Sequence, residues 1–408
     1  MGHRRILTAI GVAVLVAGAF VSGYRAGAGG AAVHAVGPAS QEGFALLRDL
    51  RHLVKTRYVN PRITEDQLLY GAARGMLDAL GDPYTRFMDP QAFREFQDLS
   101  AGMFSGIGIT MELSDGAVVV VSTISGTPAA GAGLQAGDRI ISIDDRPTRD
   151  MAVQRAAALI RGPKGSVVHL RVARGGTSFA VAITRAIIQA PSVQGEEVLT
   201  PTVRGRLHEL RLAYLRIVMF DRTTGKEFQG ALAQVMAQAP RGLILDLRNN
   251  GGGLVASAVR VADEFVPRGP IVSTVDRGGA RATEYATGAA HFGRPLVVLV
   301  NEYTASASEI VAGALQDDRL APLVGVKTFG KGIVQTVFPL PGGAGAAITT
   351  FEYLTPAGRS IHMKGLTPDI PAGARLEGRP AGEIRRIQDA QLDRAIEILE
   401  RRLGQKAS

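Results

Sequence analysis

The 408-residue chain has no cysteine and no tryptophan, and aromatic residues make up only 5% of it. The lack of cysteine excludes disulfides, thiol catalysis and cysteine-based zinc sites. The formal net charge of +9 could attract nucleic acid, but the arginines are scattered and few aromatic side chains are available to stack on bases. We therefore predict that nucleic acid is not a partner. Glycine is abundant instead, with 50 residues, which indicates many turns.

Residues 1–40 are predicted to form a signal or anchor segment followed by a linker. His3-Arg4-Arg5 precedes an apolar run from Ile6 to Tyr24, which is long for a signal-peptide core and just long enough to span a membrane as a helix. Ala26-Gly27-Ala28 resembles a cleavage site, so a cleaved signal peptide and a retained transmembrane anchor both stay open. Either alternative predicts export, and we expect a periplasmic protein, free or anchored in a bacterial inner membrane.

Changes in sequence periodicity divide the remaining chain into four segments. Residues 41–101 show helical spacing on both sides of a break at Asn60-Pro61, which predicts a helical N-terminal region. Residues 102–188 change to short strands, residues 189–371 alternate strands with helices, and residues 372–408 form a tail. Apolar residues of the tail recur at helical spacing, so we expect an amphipathic helix that packs on the core or on a partner subunit.

The segment 102–188 contains a glycine loop that enters a strand, Gly106-Ile107-Gly108-Ile109, and the later run Gly133-Leu134-Gln135-Ala136-Gly137-Asp138. This stretch resembles a PDZ domain of the bacterial protease type. The backbone N–H groups of such a loop can bind a chain-terminal carboxylate, and the strand after it can pair with an extended peptide. We predict that Gly106, Ile107, Gly108 and Ile109 bind peptide C-termini, although the two glycines could simply form a turn.

The segment 189–371 has the pattern of an α/β core. The runs 213–217, 242–247 and 295–300 are short and apolar, as expected of buried strands, and predicted helices at 224–238 and 254–265 alternate with them. Repetition of a strand, a turn and a helix favours parallel strands. Ligands of such sheets bind at the carboxyl ends of the strands.

A serine and a lysine are the candidate catalytic pair of this core. Ser306 lies in the run Thr304-Ala305-Ser306-Ala307-Ser308-Glu309, and Lys331 follows it by 25 residues, between two glycines. A serine hydroxyl needs a base, and a lysine can serve when burial disfavours its charged form. Both residues also have simpler explanations. Ser306 could only cap a helix that begins near Ala307, with Glu309 completing a capping box, and Lys331 could be an exposed turn lysine.

The glycine turn Gly251-Gly252-Gly253 follows a buried strand. It lacks the lysine and Ser/Thr of a P-loop, so a phosphate loop is disfavoured. Its N–H groups could form an oxyanion hole with the N–H of Ala307, or the glycines could only make a tight turn. The sequence has no nucleophile elbow and no His-Glu-x-x-His run, and its seven histidines are isolated, although His291 and His362 could approach Ser306.

Three runs together resemble the core motifs of the carboxyl-terminal processing proteases. They are Leu247-Arg248-Asn249-Asn250-Gly251-Gly252-Gly253, Asn301 to Ile310, and Thr328 to Gln335. The similarity extends from about Gln41 to Pro371, and the order and spacing of its motifs make it specific. The resemblance implies a mixed α/β fold, in which a PDZ domain follows a helical N-terminal region and precedes an α/β serine protease core and a C-terminal helix.

The resemblance also implies a function. The family consists of serine endopeptidases that cleave exported proteins near their C-termini, and the PDZ domain captures the C-terminus of the substrate. By motif position Ser306 is the nucleophile, Lys331 the general base and Gln335 the residue that orients the lysine. The N–H groups of Gly252 and Ala307 would form the oxyanion hole. This chemistry requires no metal and no cofactor, and a homodimer is compatible with the family.

Arg161 resembles a family position that couples the PDZ and protease domains, with an exposed salt-bridge arginine as the simpler alternative. Two departures from the family pattern stand out. Gly251 replaces the usual proline, which predicts a looser oxyanion turn. Gly81-Asp82-Pro83-Tyr84-Thr85 replaces a Leu-Asp-Pro-His-Ser run, which we expect to affect only a structural turn. The alternative function, from a different class, is an inactive exported PDZ scaffold that binds protein C-termini.

Overall fold

The structure of the chain, a computed structural model, describes residues 38–114, 116–149, 151, 153–288 and 290–405. These residues divide into two compact units, one made of 95–334 with 350–405 and the other of 38–94 with 335–349. The predicted signal or anchor run, 6–24, lies outside the described residues. Among the helices that the structure describes, none combines the length and the apolar character that crossing a membrane requires.

The smaller unit begins with two helices, α1 (Pro38–Arg57) and α2 (Glu65–Asp78), as the break at Asn60-Pro61 predicts. Thr64 caps α2, because its side chain accepts a hydrogen bond from the N–H of Gln67. The strand β1 (Arg86–Met88) then pairs antiparallel with residues 345–347. Helix α3 (Pro90–Ser100) follows, and its Phe93 and Phe96 are buried.

The next segment forms the predicted PDZ domain. Its elements are β2 (Met103–Gly106), β3 (Ile109–Ser114), β4 (Ala117–Thr123), α4 (Pro128–Gly131), β5 (Arg139–Ile143), β6 (Arg146–Pro147), α5 (Val153–Ile160), β7 (Val167–Arg174), β8 (Thr177–Thr184) and β9 (Ala186–Gln189). An antiparallel sheet of order β3-β4-β5-β7-β8 surrounds a separate apolar cluster that includes Val118, Ile140 and Leu170. Strands β2 and β9 pair with each other as a two-stranded ribbon, so the chain enters and leaves the domain at one place.

Apart from residues 335–349, which belong to the smaller unit, the remaining elements build the α/β core. They are β10 (Val193–Gln194), α6 (Pro201–Leu210), β11 (Leu212–Ile217), α7 (Thr224–Ala237), β12 (Gly242–Asp246), α8 (Val255–Asp263), β13 (Pro270–Asp276), β14 (Arg281–Tyr285), β15 (Leu296–Val300), α9 (Ala307–Asp317), β16 (Leu323–Gly325), β17 (Ile333–Pro339), β18 (Gly345–Leu354), β19 (Ile370–Pro371) and α10 (Ala381–Gln405). The main sheet has the order β10-β11-β12-β15-β16-β19, and its strands from β11 to β19 are parallel, as predicted. Every residue of β12 and β15 is buried, because apolar clusters cover both faces of the sheet.

The C-terminal helix α10 packs on the core of its own chain. Its residues Leu392, Ile396 and Leu399 are buried in the cluster that covers one face of the main sheet. Next to this cluster, the buried Arg248 pairs with Asp246 and donates from Nη1 to the carbonyl oxygen of Gln388 in α10 at 2.6 Å. Arg248, which lies shortly before the turn Gly251-Gly252-Gly253 in the sequence, is therefore bonded to the C-terminal helix.

Candidate active site

Ser306 occupies a strained turn at the carboxyl end of β15. It directly precedes α9 and has φ 56° and ψ −118°, in the left-handed region that non-glycine residues rarely adopt. Such a conformation costs about 1–3 kcal/mol and persists only where surrounding contacts hold it. Ser306 is the N-cap residue of α9, and the Glu309 side chain accepts its N–H as in a capping box. This position is compatible with a catalytic role, because a nucleophile at a helix start lies beside backbone N–H groups that stabilise an oxyanion.

The carboxylate of Glu309 joins the turn of Ser306 to the loop of Lys331. Its Oε2 accepts hydrogen bonds from the backbone N–H groups of Ser306 and Lys331, both at 2.9 Å. Because each backbone nitrogen lies 2.9 Å from the same oxygen, the distance between the Ser306 and Lys331 nitrogens cannot exceed twice 2.9 Å. Its Oε1 accepts from the N–H of Gly330 at 2.8 Å and from the hydroxyl of Thr328 at 2.5 Å. One carboxylate thus brings together two residues that are far apart in the sequence.

All three residues of this cluster are buried. Lys331 and Ser306 are each 3% exposed and Glu309 is 0% exposed. Lys331 is therefore not an exposed turn lysine. Burial raises the pKa of Glu309 above its usual range, although the four donors act in the opposite direction. The Tyr353 hydroxyl donates to the carbonyl oxygen of Ser306 at 3.1 Å, and burial, followed by the charge of Glu309, raises the pKa of Tyr353 well above its usual range.

Gly252 contacts the serine turn directly. Its φ is +97°, and a Cβ atom at this position would lie 2.6 Å from the carbonyl oxygen of Ala305, 2.8 Å from the Cβ of Ser306 and 2.9 Å from the nitrogen of Ala307. Real side chains do not tolerate such contacts, so this position requires glycine. The two predicted oxyanion donors, Gly252 and Ala307, therefore belong to neighbouring backbone segments.

The Asn250 side chain links the glycine turn to the end of β11 by two hydrogen bonds. Its Oδ1 accepts the N–H of Gly252 at 2.9 Å, and its Nδ2 donates to the carbonyl oxygen of Ile217 at 2.8 Å. The N–H that we predict to bind the oxyanion is thus engaged with a side chain in this structure. Gly251, by contrast, has open space around its Cβ position and does not have a positive φ. A residue larger than glycine would fit there.

Gln335 belongs to the smaller unit. It lies on β17, four residues after Lys331, and is 2% exposed. Its Nε2 donates to the hydroxyl of Thr349 on β18 at 3.0 Å. Of the two histidines considered above, His291 has its Nδ1 2.6 Å from the carboxylate of Glu264. Among the described residues, no group of three or more histidine, aspartate or glutamate side chains could hold a metal ion.

The predicted peptide-binding residues all lie at the entry to the PDZ domain. Gly106 ends β2, and Ile107 is buried in the domain's apolar cluster. Gly108 has φ +83° and packs so closely on Thr127 that a Cβ atom would lie 2.4 Å from it. Ile109 begins β3, an edge strand of the sheet that α5 also contacts. An edge strand beside a helix is the arrangement to which an extended peptide can add.

Arg161 directly follows α5. Its guanidinium lies over the ring of Phe104, 5.3 Å from the ring centre. Phe104 belongs to β2 and hence to the ribbon through which the chain enters the PDZ domain. The contact is a cation–π interaction rather than the salt bridge of the simpler explanation.

Comparisons of this sequence with known proteins all identify the same family of proteases. The sequence model of peptidase family S41 matches residues 211–372, a PDZ domain model matches 119–174, and the model of the activating protease CtpB N-terminal domain matches 31–92. A carboxyl-terminal-processing protease of Synechocystis sp. is 37% identical over 351 residues, which cover 85% of this chain and 80% of the relative. A carboxy-terminal-processing protease of Bartonella bacilliformis is 38% identical over 334 residues, covering 79% and 73%.

A solved structure shares both the fold and the sequence. It is a photosystem II D1 C-terminal processing protease that is 34% identical, with a TM-score of 0.50, and the match covers 83% of this chain and 90% of that one. A putative S41 protease from Bacteroides fragilis matches with a TM-score of 0.53 at 16% identity, which shows the fold alone.

Proposed function

This chain belongs to the carboxyl-terminal processing proteases, the serine-type peptidases of family S41, and we propose that Ser306 is its nucleophile and Lys331 its general base. The observation that carries this assignment is the shared Oε2 of Glu309, which holds the backbone of both residues in one buried cluster. A serine without a nearby base is a weak nucleophile, and this arrangement supplies a lysine.

In the proposed mechanism the neutral amine of Lys331 takes the hydroxyl proton of Ser306 while Oγ attacks the peptide carbonyl carbon. The C–N bond then breaks, and the ammonium returns the proton to the leaving amine. A water molecule hydrolyses the resulting ester, with Lys331 again accepting a proton. Gln335, four residues further along the chain, orients the lysine.

Gly252 and Ala307 donate the N–H groups that stabilise the oxyanion. Close packing of Gly252 on the turn of Ser306 and Ala307 supports this role. Because Asn250 Oδ1 accepts the Gly252 N–H, a substrate oxygen must share that donor or replace the side chain. The positive end of α9 favours the developing charge.

The PDZ domain binds the C-terminus of the substrate at the loop 106–109, and the peptide extends along β3. Arg161, through Phe104 of the ribbon, couples occupancy of this groove to the protease core. Substrates are exported proteins that are cut near their C-termini. Export of this chain itself rests on residues 1–40, and membrane anchoring and a homodimer remain predictions of the sequence.

The test compares wild type with Ser306→Ala and Lys331→Arg on an unstructured protein substrate, with a serine-directed acylating probe as second readout. We expect both variants to be inactive and unlabelled, because arginine cannot deprotonate at a workable pH. Undiminished cleavage by Ser306→Ala would overturn the assignment. Binding of C-terminal peptides by the wild type without cleavage or acylation would favour the inactive scaffold instead.

A further inference from the structure

The carboxamide of Gln335 is held by a chain of hydrogen bonds that ends at Asp82. Gln335 Nε2 donates to Thr349 Oγ1 at 3.0 Å, and the Thr349 hydroxyl donates to Asp82 Oδ2 at 2.6 Å. The Thr85 hydroxyl donates to the same oxygen at 2.7 Å. All four residues belong to the smaller compact unit, so a catalytic candidate is linked to a turn more than two hundred positions earlier in the chain.

The direction of these bonds fixes which way the amide of Gln335 faces. A carboxylate can only accept, so the single hydroxyl hydrogen of Thr349 is used on Asp82. The lone pairs of Thr349 are then left for Gln335, which can satisfy them only with its NH2 group. The carboxamide oxygen must consequently face away from Thr349. The oxygen and the nitrogen of a carboxamide are told apart by the donors and acceptors around them, and here only one arrangement satisfies every hydrogen bond.

We propose that Asp82, acting through Thr349, is a positioning group that locks the orientation of the Gln335 carboxamide, with its oxygen facing away from Thr349. The inference rests on the proposed role of Gln335 and adds the residues that enforce it. It also gives the turn 81–85, which the sequence analysis expects to be only structural, a proposed role in positioning Gln335.

The turn is built to hold its carboxylate in place. Asp82 Oδ1 accepts the backbone N–H of Tyr84 at 2.9 Å, which orients the side chain, and Thr85 Oγ1 accepts the backbone N–H of Thr349 at 3.0 Å. The pairs Arg86↔Ala347 and Phe87↔Ala346 continue this contact as the β1–β18 ladder. The register of the ladder therefore sets the distance between Asp82 and Thr349.

The test is a double-mutant cycle between Thr349→Val and Gln335→Ala, read as kcat and KM for cleavage of an unstructured substrate. Thr349→Val keeps the shape of the side chain but removes the hydroxyl, and we expect kcat to fall by about tenfold with KM unchanged. Thr349→Ser keeps the hydroxyl and should retain activity. Because the relay acts through Gln335, Thr349→Val should cause no further loss in the Gln335→Ala background.

The acid limb of the pH profile gives a readout that a merely structural role would not move. If Gln335 orients Lys331 as proposed, a misoriented carboxamide makes the lysine ammonium less stable, so the acid limb of kcat/KM should shift to lower pH in Thr349→Val. Thr283→Val is the matched control, because it removes one hydroxyl from the pair Ser273–Thr283 on another strand hairpin. This variant should change neither kcat nor the position of the acid limb of the pH profile.

Full activity of Thr349→Val, or losses that multiply with those of Gln335→Ala, would overturn the relay. Full activity of Gln335→Ala would instead overturn the proposed role of Gln335, so the two failures are distinguishable. If Thr349→Val does not fold, the same cycle with Asp82→Ala decides the question, since removal of the carboxylate frees the Thr349 hydrogen to face Gln335. Activity equal to wild type in that variant would contradict the inference.

Discussion

Removal of the Glu309 carboxylate should both destabilise the protein and separate Ser306 from Lys331, the two residues proposed to be catalytic. Glu309→Ala leaves three buried N–H groups, those of Ser306, Gly330 and Lys331, without their acceptor. Each unsatisfied donor costs about 1–3 kcal/mol, so the free energy of unfolding should fall by at least about 3 kcal/mol. At about 2–4 °C per kcal/mol, this corresponds to a Tm lower by roughly 6–12 °C.

The effect on chemistry should exceed the effect on stability. Without the carboxylate the N–H of Ser306 loses its acceptor, so the turn with φ +56° can relax and move the serine away from the lysine. A misplacement of about 1 Å can reduce a rate about 100-fold, and we expect at least that loss in acylation by a serine-directed probe. Thermal unfolding is followed by far-UV circular dichroism, since the chain has no tryptophan.

Glu309→Gln is the matched variant, because it keeps the shape and one oxygen. The amide nitrogen should face Thr328, whose hydroxyl can rotate to accept, so that only the N–H of Gly330 opposes a donor. The remaining oxygen still accepts from Ser306 and Lys331, and we expect a loss of about 1–3 kcal/mol and partial activity. A folded Glu309→Ala protein that is acylated at the wild-type rate would refute the positioning role.

Three further outcomes are expected. Gly252→Ala should abolish cleavage of the unstructured protein substrate, because its Cβ would overlap the carbonyl oxygen of Ala305, whereas Gly251→Ala has open space and should stay active. Equal losses in the two variants would contradict the assignment of the turn. Arg248→Ala should lower the stability by about 3–5 kcal/mol, because it strands a buried carboxylate, and an unchanged Tm would argue against this. Burial alone would raise the pKa of Asp246, but Arg248 outweighs it and the pKa is lowered, so this stabilisation should be present above about pH 3.9 and be lost as the pH falls below it in circular dichroism melts.

The elements of the core could be predicted because their signals are local. Short apolar runs predicted β11, β12 and β15, and all three are parallel neighbours. The Ser-x-x-Glu pattern predicted that α9 begins at Ala307, and helical spacing predicted α10. In each case the residues that determine the structure lie within one or two turns of one another, so periodicity and capping are sufficient.

The environment of the catalytic candidates could not be predicted, because it is made by distant residues. The sequence around Lys331 left a buried base and an exposed turn lysine both open, and Lys331 is buried in the structure, where its loop bonds to Glu309. The turn at Asp82 gave no sign of a catalytic connection, since its partner Thr349 lies 267 residues away. The hydrogen bond of Asn250 could not be predicted either, because nothing in the run of asparagines and glycines shows that this side chain accepts the Gly252 N–H.

Glu309 serves the fold and the chemistry with the same two oxygens, and this creates a conflict that the structure partly resolves. A negative charge beside Lys331 favours the ammonium form, whereas the proposed mechanism needs a neutral amine. Each oxygen of Glu309 accepts two hydrogen bonds, and three of the four donors are backbone N–H groups. These donors already stabilise much of the negative charge of Glu309. Because burial raises the pKa of Glu309, acid also neutralises the group that places both residues. We therefore expect loss of activity at low pH to depend on two groups, the proposed base Lys331 and the carboxylate that positions it.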